Sequence, residues 1–434
     1  MTPPSPHDTV LRVRGGGPLE GTVRLSGAKN SVLKLMAASL LSDGPVDLSE
    51  VPSISDVPVM GAVLEGLGVA VAYDAASGTC RLEVRDDRTV RPPRDAVTRI
   101  RASVACLGPL VARRGAAELA LPGGDRIGAR SIDLHLAGLA AMGARVEQLE
   151  DAVIVHADRL EGARITLDFP SVGATENLVM AATLARGRTV IDNAAREPEI
   201  ADLCRMLVAM GARISGIGSP TVTVEGVERL QDVAWETCPD RIEAGTYLVA
   251  GALSGGRVRV ERVRADDLTL PLRKLADAGA TVTVEHDTVT VERGPEALRP
   301  VDVVTLPYPG FPTDLQPQMM VLLTQAQGMS RCTENVFESR FSFVDQLRRM
   351  GADIDVEGHH ALLSGPTRLR GAALDGLDVR AGAAAVLAGL VADGETLVHD
   401  VHHIDRGYAD FVPRLRGLGA DVVRIEGDGT TADA

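Results

Sequence analysis

At 434 residues the chain is too long for a single hydrophobic core, which stops growing near roughly 250–300 residues, so two domains are expected. A mean hydropathy of +0.08 and apolar runs no longer than AGAAAVLAGLVA (381–392) exclude a membrane-spanning helix, which needs ~20 apolar residues in a row. A net charge of −14 excludes nucleic acid or an anionic membrane as the main partner, but not a small anion, which needs only a few local cations.

The opening, MTPPSPHDTV, lacks the apolar core of a secretory signal, and both ends, MTPPSPHD and EGDGTTADA, read as polar tails. KLMAASLL (34–41) is apolar nearly all round and predicts a buried helix. SDVPVMGAVLEGLG then predicts an amphipathic helix, with Ser55 or Asp56 as N-cap, Pro58 in the first turn and Gly68 just past its end. The same helix–glycine–strand phrase returns as LAAMGARVE, LVAMGARIS, LADAGATVT, LRRMGADID and LRGLGADVV. Its glycines, Gly68, Gly143, Gly211, Gly279, Gly351 and Gly419, stand 68–75 residues apart.

In EPEIADLCRMLVAMGARI, Ile200, Leu203, Leu207 and Met210 form one stripe at helical spacing. Glu197 and Glu199 lie in or near the first turn, where the helix dipole favours acids, and Gly211 suits a left-handed C-cap. Further apolar helices are expected at LVMAATLA (178–185), TYLVAGAL (246–253) and AAVLAGLV (384–391), and TVTVEHDTVTVE (281–292) reads as strand. Each copy is thus a βαβα unit with closing strands. A solenoid is the simplest reading of such a period. Units of this length, with helices of the buried type, instead predict two globular domains of three units each. The five cysteines, Cys80, Cys106, Cys204, Cys238 and Cys332, form no CxxC pair and no even framework, which fits a reduced, cytoplasmic setting.

Short polar motifs lie between these elements. SGAKNS (26–31) puts Lys29 and Asn30 ahead of the first apolar helix, and RASVACLGPLVAR (101–113) begins with Arg101. LPGGDRIGAR (121–130) sets Asp125 directly after two glycines, with Arg126, Gly128 and Arg130 behind it. Alone it reads either as a turn that carries charges or as a loop that delivers an acid. PSVGATEN (170–177), NAAREPEI (193–200), PDRIEAGT (239–246), GFPTDLQPQ (310–318), ENVFESRF (334–341) and HHIDRGY (402–408) complete the series.

These nine motifs, in this order over about residues 10 to 425, resemble the family of UDP-N-acetylglucosamine enolpyruvyl transferases, or UDP-N-acetylglucosamine 1-carboxyvinyltransferases. The resemblance implies an α/β fold: a two-domain inside-out α/β barrel of six βαβαββ-type units, three per domain, with helices inside. It implies one domain at 30–238 carrying a mobile lid over about 121–135, a second formed by 1–29 plus 239–434, and an active site in the cleft between them. The implied reaction moves the enolpyruvyl group of phosphoenolpyruvate to the 3-hydroxyl of UDP-N-acetylglucosamine and releases phosphate, by addition and then elimination. It is the first committed step of peptidoglycan precursor synthesis. These two small molecules are the expected partners. No cofactor, metal, nucleic acid or membrane is called for.

The resemblance also assigns roles. Lys29 and Asn30 contact phosphoenolpyruvate, Arg130 and Arg406 embrace its anionic end, and Arg101 lines the nucleotide-sugar site. Arginine suits this work because its planar fork pairs with phosphate and carboxylate oxygens two at a time. Asp378, just before Val379 and Arg380, is expected to hold such an arginine. Most members have a cysteine at the position of Asp125, acting as general acid, so Asp125 is expected to take that role. A free aspartate has a pKa of ~3.9, so donation requires that it be raised by burial or by a nearby anion. Without the thiol, the chain is expected to be insensitive to fosfomycin, which alkylates it. Asp314 is the implied base beside the sugar hydroxyl, and by position also a candidate N-cap for LQPQMMVLL.

Nucleotide-sugar contacts are implied for Ser131, Ile132, Asp133 and Leu134, for Ser171, Val172 and Gly173, and for Val336. His135 reads equally as a phosphate contact or as packing. Ser131 stands where many members have proline, and Phe169 where some have a lysine near the diphosphate. That leaves room for a paralogue acting on another nucleotide or nucleoside. 5-Enolpyruvylshikimate-3-phosphate synthase shares the fold and donor but not the motifs around Lys29, Asp125 and Asp314. A catalytically silent nucleotide-sugar binder is opposed by the presence of Lys29, Asp314 and Arg406. His359, His360, His399, His402 and His403 have no thiol or carboxylate set at zinc spacing and read as structural. GGDRIG lacks the glycine spacing of a dinucleotide fingerprint.

Overall fold

The structure, a computed structural model, describes residues 9–125, 127–128 and 131–426. The polar tails up to residue 8 and from residue 427, and the candidate ligand Arg130, lie outside the described residues. Contacts divide the chain into two compact lobes. The terminal lobe takes the chain up to Leu25, then Asp125, Ile127 and Gly128, and the chain from Pro239 onward. The central lobe takes Ser26–Gly124 and the chain from Ser131 to Cys238. The tip of the GGDRIG loop, expected to go with 30–238, therefore groups with the terminal lobe. The cause is local: the Ser339 amide donates to the Ile127 carbonyl at 3.2 Å, and Asp125 pairs with Arg406.

Among the described residues six sheets form, five of four strands and one of three. The five share one plan. Arg164–Thr166 runs parallel to Arg188–Asp192, which pairs antiparallel with Thr221–Glu225, which pairs antiparallel with Arg213–Ser215. Alternation holds each strand in place: in Thr221–Glu225, Val222 and Val224 are buried while the threonines face outward. Three sheets take a strand from far along the chain. Val233–Glu236 joins Val46–Ser49, and Glu20–Arg24 joins Arg257–Glu261. Val10–Arg14 is inserted between Glu395–His399 and Asp421–Ile425. TVTVEHDTVTVE is two paired strands, Thr281–Glu285 and Thr288–Glu292, with His286 in the turn at φ 52°.

The four expected apolar helices form the interiors together with two more, Gln316–Leu323 and Leu107–Arg114. In the terminal lobe, Val379–Leu390 and Gln316–Leu323 are buried along their whole length, and Arg241–Ser254 from Ile242 to Leu253. Lys29–Ala38, Leu107–Arg114 and Val172–Ala182 are their counterparts in the central lobe. Lys29 opens its helix rather than preceding it, because Ala28 is already anchored by donating to the Cys238 carbonyl at 2.7 Å. Ser55 holds the N-cap position of Asp56–Glu65 in a helical conformation without a side-chain cap bond, and Asp56 turns to Lys29 instead. Among the described residues no helix is long and apolar enough to cross a membrane.

The repeated glycines close the amphipathic helices. Gly68, Gly143, Gly211, Gly279, Gly351 and Gly419 have φ of 80°, 91°, 107°, 108°, 98° and 95°. After five of them an alanine amide reaches back to a leucine carbonyl at 2.9–3.0 Å: Ala144 to Leu139, Ala212 to Leu207, Ala280 to Leu275, Ala352 to Leu347 and Ala420 to Leu415. This is the Schellman closure, which satisfies carbonyls that the helix end leaves open. One sequence device thus ends one helix per unit.

A Cβ built on Gly211 meets no atom within 4 Å, so Gly211→Ala tests the backbone alone. The expected result is a loss of about 1–2 kcal/mol, read as a lower urea midpoint with an unchanged slope. An unchanged midpoint would mean that the cap relaxes without cost.

Candidate active site

In the terminal lobe three of the motifs converge. The Asp125 carboxylate accepts from Arg406 Nη1 at 2.6 Å, and both side chains are largely buried. Arg406 is the C-cap of the short helix His402–Asp405. From that helix His403 faces the pair: burial lowers its imidazole, Asp125 opposes this and Arg406 adds to it. Gly128, at φ 148°, lies against ENVFESRF, where a Cβ would come within 2.6 Å of Glu338 Oε2.

Asp314 lies in the 3-10 turn Thr313–Leu315 and does not cap Gln316–Leu323, because its oxygens are engaged elsewhere. Oδ1 accepts from Arg340 Nη2 at 3.2 Å, and Oδ2 from Arg380 Nε at 3.2 Å and Nη2 at 3.1 Å. Burial works against ionisation there, but the Arg380 and Arg340 guanidiniums prevail and hold the carboxyl well below the usual carboxylate range. Asp378 caps Val379–Leu390, accepting from the amides of Arg380 at 2.8 Å and Ala381 at 3.1 Å, and lies 4.0 Å from Arg340 Nη1. Arg380 lies over the Tyr408 ring, 5.2 Å from its centroid. Glu334 receives the amides of Val336 at 2.8 Å and Phe337 at 3.0 Å, and the Thr313 hydroxyl at 3.0 Å, tying the segment of Val336 to that of Asp314.

Arg340 and Arg380 were not singled out as site residues from sequence. Arg340 lies in ENVFESRF and Arg380 follows Asp378, but among 45 lysines and arginines nothing local gives either a role in the site. Their burial and their common partner do.

The central lobe gathers a second set. Lys29 is only 9% exposed, and its Nζ lies 2.9 Å from Asp56 Oδ2. The neighbouring Ser31 hydroxyl donates to Asp202 at 2.6 Å, and Asp202 also receives the Trp235 indole and the Cys238 amide, each at 3.2 Å. Arg101 opens the 3-10 turn Arg101–Cys106, beside Gly124 at φ 110°, where a Cβ would lie 3.0 Å from that of Arg101. Ser171 caps Val172–Ala182 by accepting from the Ala174 amide at 3.3 Å, leaving Val172 and Gly173 in a first turn of the kind that suits anions. The Ser131 hydroxyl accepts from the Asp133 amide at 3.2 Å, ahead of the helix Asp133–Ala141. Ile132 holds that helix's N-cap position, and Leu134 lies in its first turn. Phe169, at 41% exposure, packs little.

His135 is buried, and its proton can be placed. Asn177 Oδ1 accepts from the Gly108 amide at 2.7 Å, so its Nδ2 is the donor, to the Val104 carbonyl at 2.9 Å and to His135 Nδ1 at 2.9 Å. The ring proton therefore sits on Nε2, beside Gly173. Burial and then Arg101 push the imidazole down to about 4, which keeps it neutral. All five cysteines are free and buried, and none lies in the GGDRIG loop. Burial pushes the thiols of Cys80 up to about 11 and of Cys106 and Cys204 up to about 12.

The family model EPSP synthase (3-phosphoshikimate 1-carboxyvinyltransferase) matches residues 13–415. The chain is 51% identical to the UDP-N-acetylglucosamine 1-carboxyvinyltransferase of Corynebacterium jeikeium, over 95% of this chain and 98% of that one. It is 52% identical to that of Nocardia farcinica, over 96% and 98%. Among solved structures it is similar to the enolpyruvyl transferase NikO from Streptomyces tendae, with a TM-score of 0.88 and 28% identity over 98% of this chain and 99% of that one. EPSP synthase from Acinetobacter baumannii shares the fold, with a TM-score of 0.74 at 16% identity over 96% and 100%.

Buried thiols with raised pKa values react slowly. Native protein is expected to take up no N-ethylmaleimide on a scale of minutes, and urea-unfolded protein to take up five equivalents by mass spectrometry. Stoichiometric labelling of the native chain would contradict this burial.

Proposed function

The chain belongs to the EPSP synthase (3-phosphoshikimate 1-carboxyvinyltransferase) family, and on that premise we propose that it transfers the enolpyruvyl group of phosphoenolpyruvate to the 3-hydroxyl of UDP-N-acetylglucosamine. The acceptor is read from identities of 51% and 52%, over nearly the whole of both chains, to relatives named for it. The same reading makes the chain a cytoplasmic enzyme at the first committed step of peptidoglycan precursor synthesis.

The pairing of Asp125 with Arg406 carries the chemical reading. A carboxylate held by a guanidinium is ionised and cannot donate a proton. Phosphoenolpyruvate brings anionic groups of its own for Arg406. If they take the guanidinium, Asp125 gives up this ion pair and gains an anionic neighbour, and both changes raise its carboxyl. On this reading the donor substrate itself arms the acid, which is then matched to its task in the loaded site.

In the addition step the sugar oxygen bonds to C2 of phosphoenolpyruvate, and the Asp125 proton goes to the C3 methylene. In the elimination step the Asp125 carboxylate takes a C3 proton back, the C2–O bond to phosphate breaks, and phosphate leaves. Asp314, held by Arg340 and Arg380, is too weak a base to store a proton. We read it as the acceptor that orients the hydroxyl and passes its proton on to the phosphate that leaves, with Asp378 fixing the helix that carries Arg380.

Lys29 and Asn30, with Arg130, are read as the remaining contacts of phosphoenolpyruvate. Arg101, Ser131, Ile132, Asp133, Leu134, Ser171, Val172, Gly173 and Val336 are read as contacts of the nucleotide sugar. For the latter group the start of Val172–Ala182 offers free amides suited to a diphosphate.

Phosphate release from phosphoenolpyruvate with UDP-N-acetylglucosamine tests this reading. Wild type should turn over, and Asp125→Asn should fall by about 10²–10⁴-fold in kcat, the usual worth of a general acid. A fully active Asp125→Asn would place the proton donor elsewhere. No release by a folded wild type that binds phosphoenolpyruvate would shift the reading to another acceptor. Fosfomycin should leave the wild type untouched, and Asp125→Cys should gain time-dependent inactivation with the drug's mass added. Inactivation of the wild type at low concentration would contradict the role given to Asp125.

A further inference from the structure

The Val172–Ala182 helix buries a carboxylate that the chemistry above does not use. Glu176 is 1% exposed, and among the described residues neither of its oxygens has a hydrogen-bond partner at close range. Its cation is Lys34, whose Nζ lies 3.6 Å from Oε1. That ammonium is itself largely buried and donates to the Asn30 carbonyl at 2.6 Å. Asn30 and Lys29 make up the first turn of Lys29–Ala38. Around them Lys29 is held by Asp56 and Ser31 by Asp202. A buried glutamate whose cation stands off at 3.6 Å is costly, and glutamine or leucine would fill the same space at lower cost. Its one visible act is to hold Lys34.

We propose that Glu176 is a positioning residue for the phosphoenolpyruvate-binding turn: through Lys34 it holds the Asn30 main chain, and with it the Lys29 and Asn30 side chains, in their binding geometry. This rests on the reading that Lys29 and Asn30 contact phosphoenolpyruvate.

Besides Lys34, the groups that face Glu176 come from the Pro198–Ala209 helix and its N-cap: Glu197, Glu199 and the Cys204 thiol. Burial raises the Glu176 carboxyl to about 7; Lys34 opposes this, and Glu199 and Glu197 add to it. The ion pair is therefore complete above neutral pH and is lost as Glu176 takes up a proton below it. Stability runs the other way. A carboxyl raised by folding stabilises the fold while protonated, and that contribution is lost as pH rises from about 4.5 through about 7. A purely structural glutamate gives no reason to keep such a charge, whereas one that holds a binding turn does.

The test measures the phosphoenolpyruvate KM, kcat and Tm of wild type, Glu176→Gln, Lys34→Gln and Lys29→Gln, at about pH 8 and about pH 6, either side of the titration. Glu176→Gln and Lys34→Gln should each raise KM about fivefold at the higher pH, the worth of one hydrogen bond, with kcat within about twofold. At the lower pH, where wild-type Glu176 is already protonated, the KM ratio of Glu176→Gln to wild type should shrink toward one. Glu176→Gln should melt no lower than wild type at the higher pH. A wild-type KM in Glu176→Gln, a KM ratio that ignores pH, or a lower Tm with no change in KM would each overturn the proposal. Failure of Glu176→Gln to fold would contradict the stability expectation directly, and Lys34→Gln would still report on KM. Lys29→Gln separates the two levels. If it leaves KM unchanged, the assignment of this turn to phosphoenolpyruvate fails. If it raises KM while Glu176→Gln does not, only the positioning role fails.

Discussion

A helix that is apolar over most of its surface must be covered over most of it, and among its described residues this chain makes six such helices, three in each lobe. Once they are buried, the places where polar chemistry can emerge are their ends. Each start leaves amides that the helix itself cannot satisfy. Ser171, Asp240 and Asp378 answer three of these starts with side-chain oxygens. The candidate site residues crowd the same places. Lys29 and Asn30 open one inner helix, and Arg101 opens the 3-10 turn before another. Val172 and Gly173 open a third, Asp314 lies in the turn before a fourth, and Arg380 follows the cap of a fifth. For a family whose substrates are anions, the helix starts are natural places of reception.

The same burial accounts for the pairing of charges. Lys29 with Asp56, Arg406 with Asp125, and Arg340 and Arg380 with Asp314 are cations that the protein has neutralised with its own carboxylates. A buried charge without a partner is expensive, so such pairs are what the fold can tolerate. Their presence changes what binding means. An anionic ligand at one of these cations competes with a carboxylate that is already in place, so its affinity reports a difference between two partners. At Arg406 that difference has a chemical outcome, because the displaced partner is the proposed acid.

What sequence reveals here depends on the range of the interaction. The glycine repeat is legible because a left-handed residue at a helix end is a local demand, repeated in six places. Four of the inner helices are legible for the same reason, and with the repeat they predict two domains of three βαβα units, whereas the inside-out barrel was implied by the resemblance. Asp125, Arg406 and Asp314 stand out through their motifs, but their partners do not. That Asp125 meets Arg406, or that Asp314 is shared by Arg340 and Arg380, depends on chain segments far apart in sequence. Glu176 was visible only as a letter in PSVGATEN, and nothing near it in sequence announces Lys34. The cap proposed for Asp314 failed for a related reason: a nearby amide offers a carboxylate less than two guanidiniums do.

The strand Val10–Arg14 deserves a last consequence. It pairs on one side with Glu395–His399 and on the other with Asp421–Ile425, with Val10 opposite Ile425. A strand made early is thus a middle strand of a sheet whose two neighbours follow much later in the chain. The central lobe draws on a stretch of chain that ends at Cys238, so it can close while synthesis continues. The terminal lobe cannot: until Glu395–His399 and Asp421–Ile425 have been made, Val10–Arg14 keeps two unpaired edges. The order of manufacture therefore runs against the order of assembly, and this strand has to be kept from pairing with the wrong partner while the intervening chain is made.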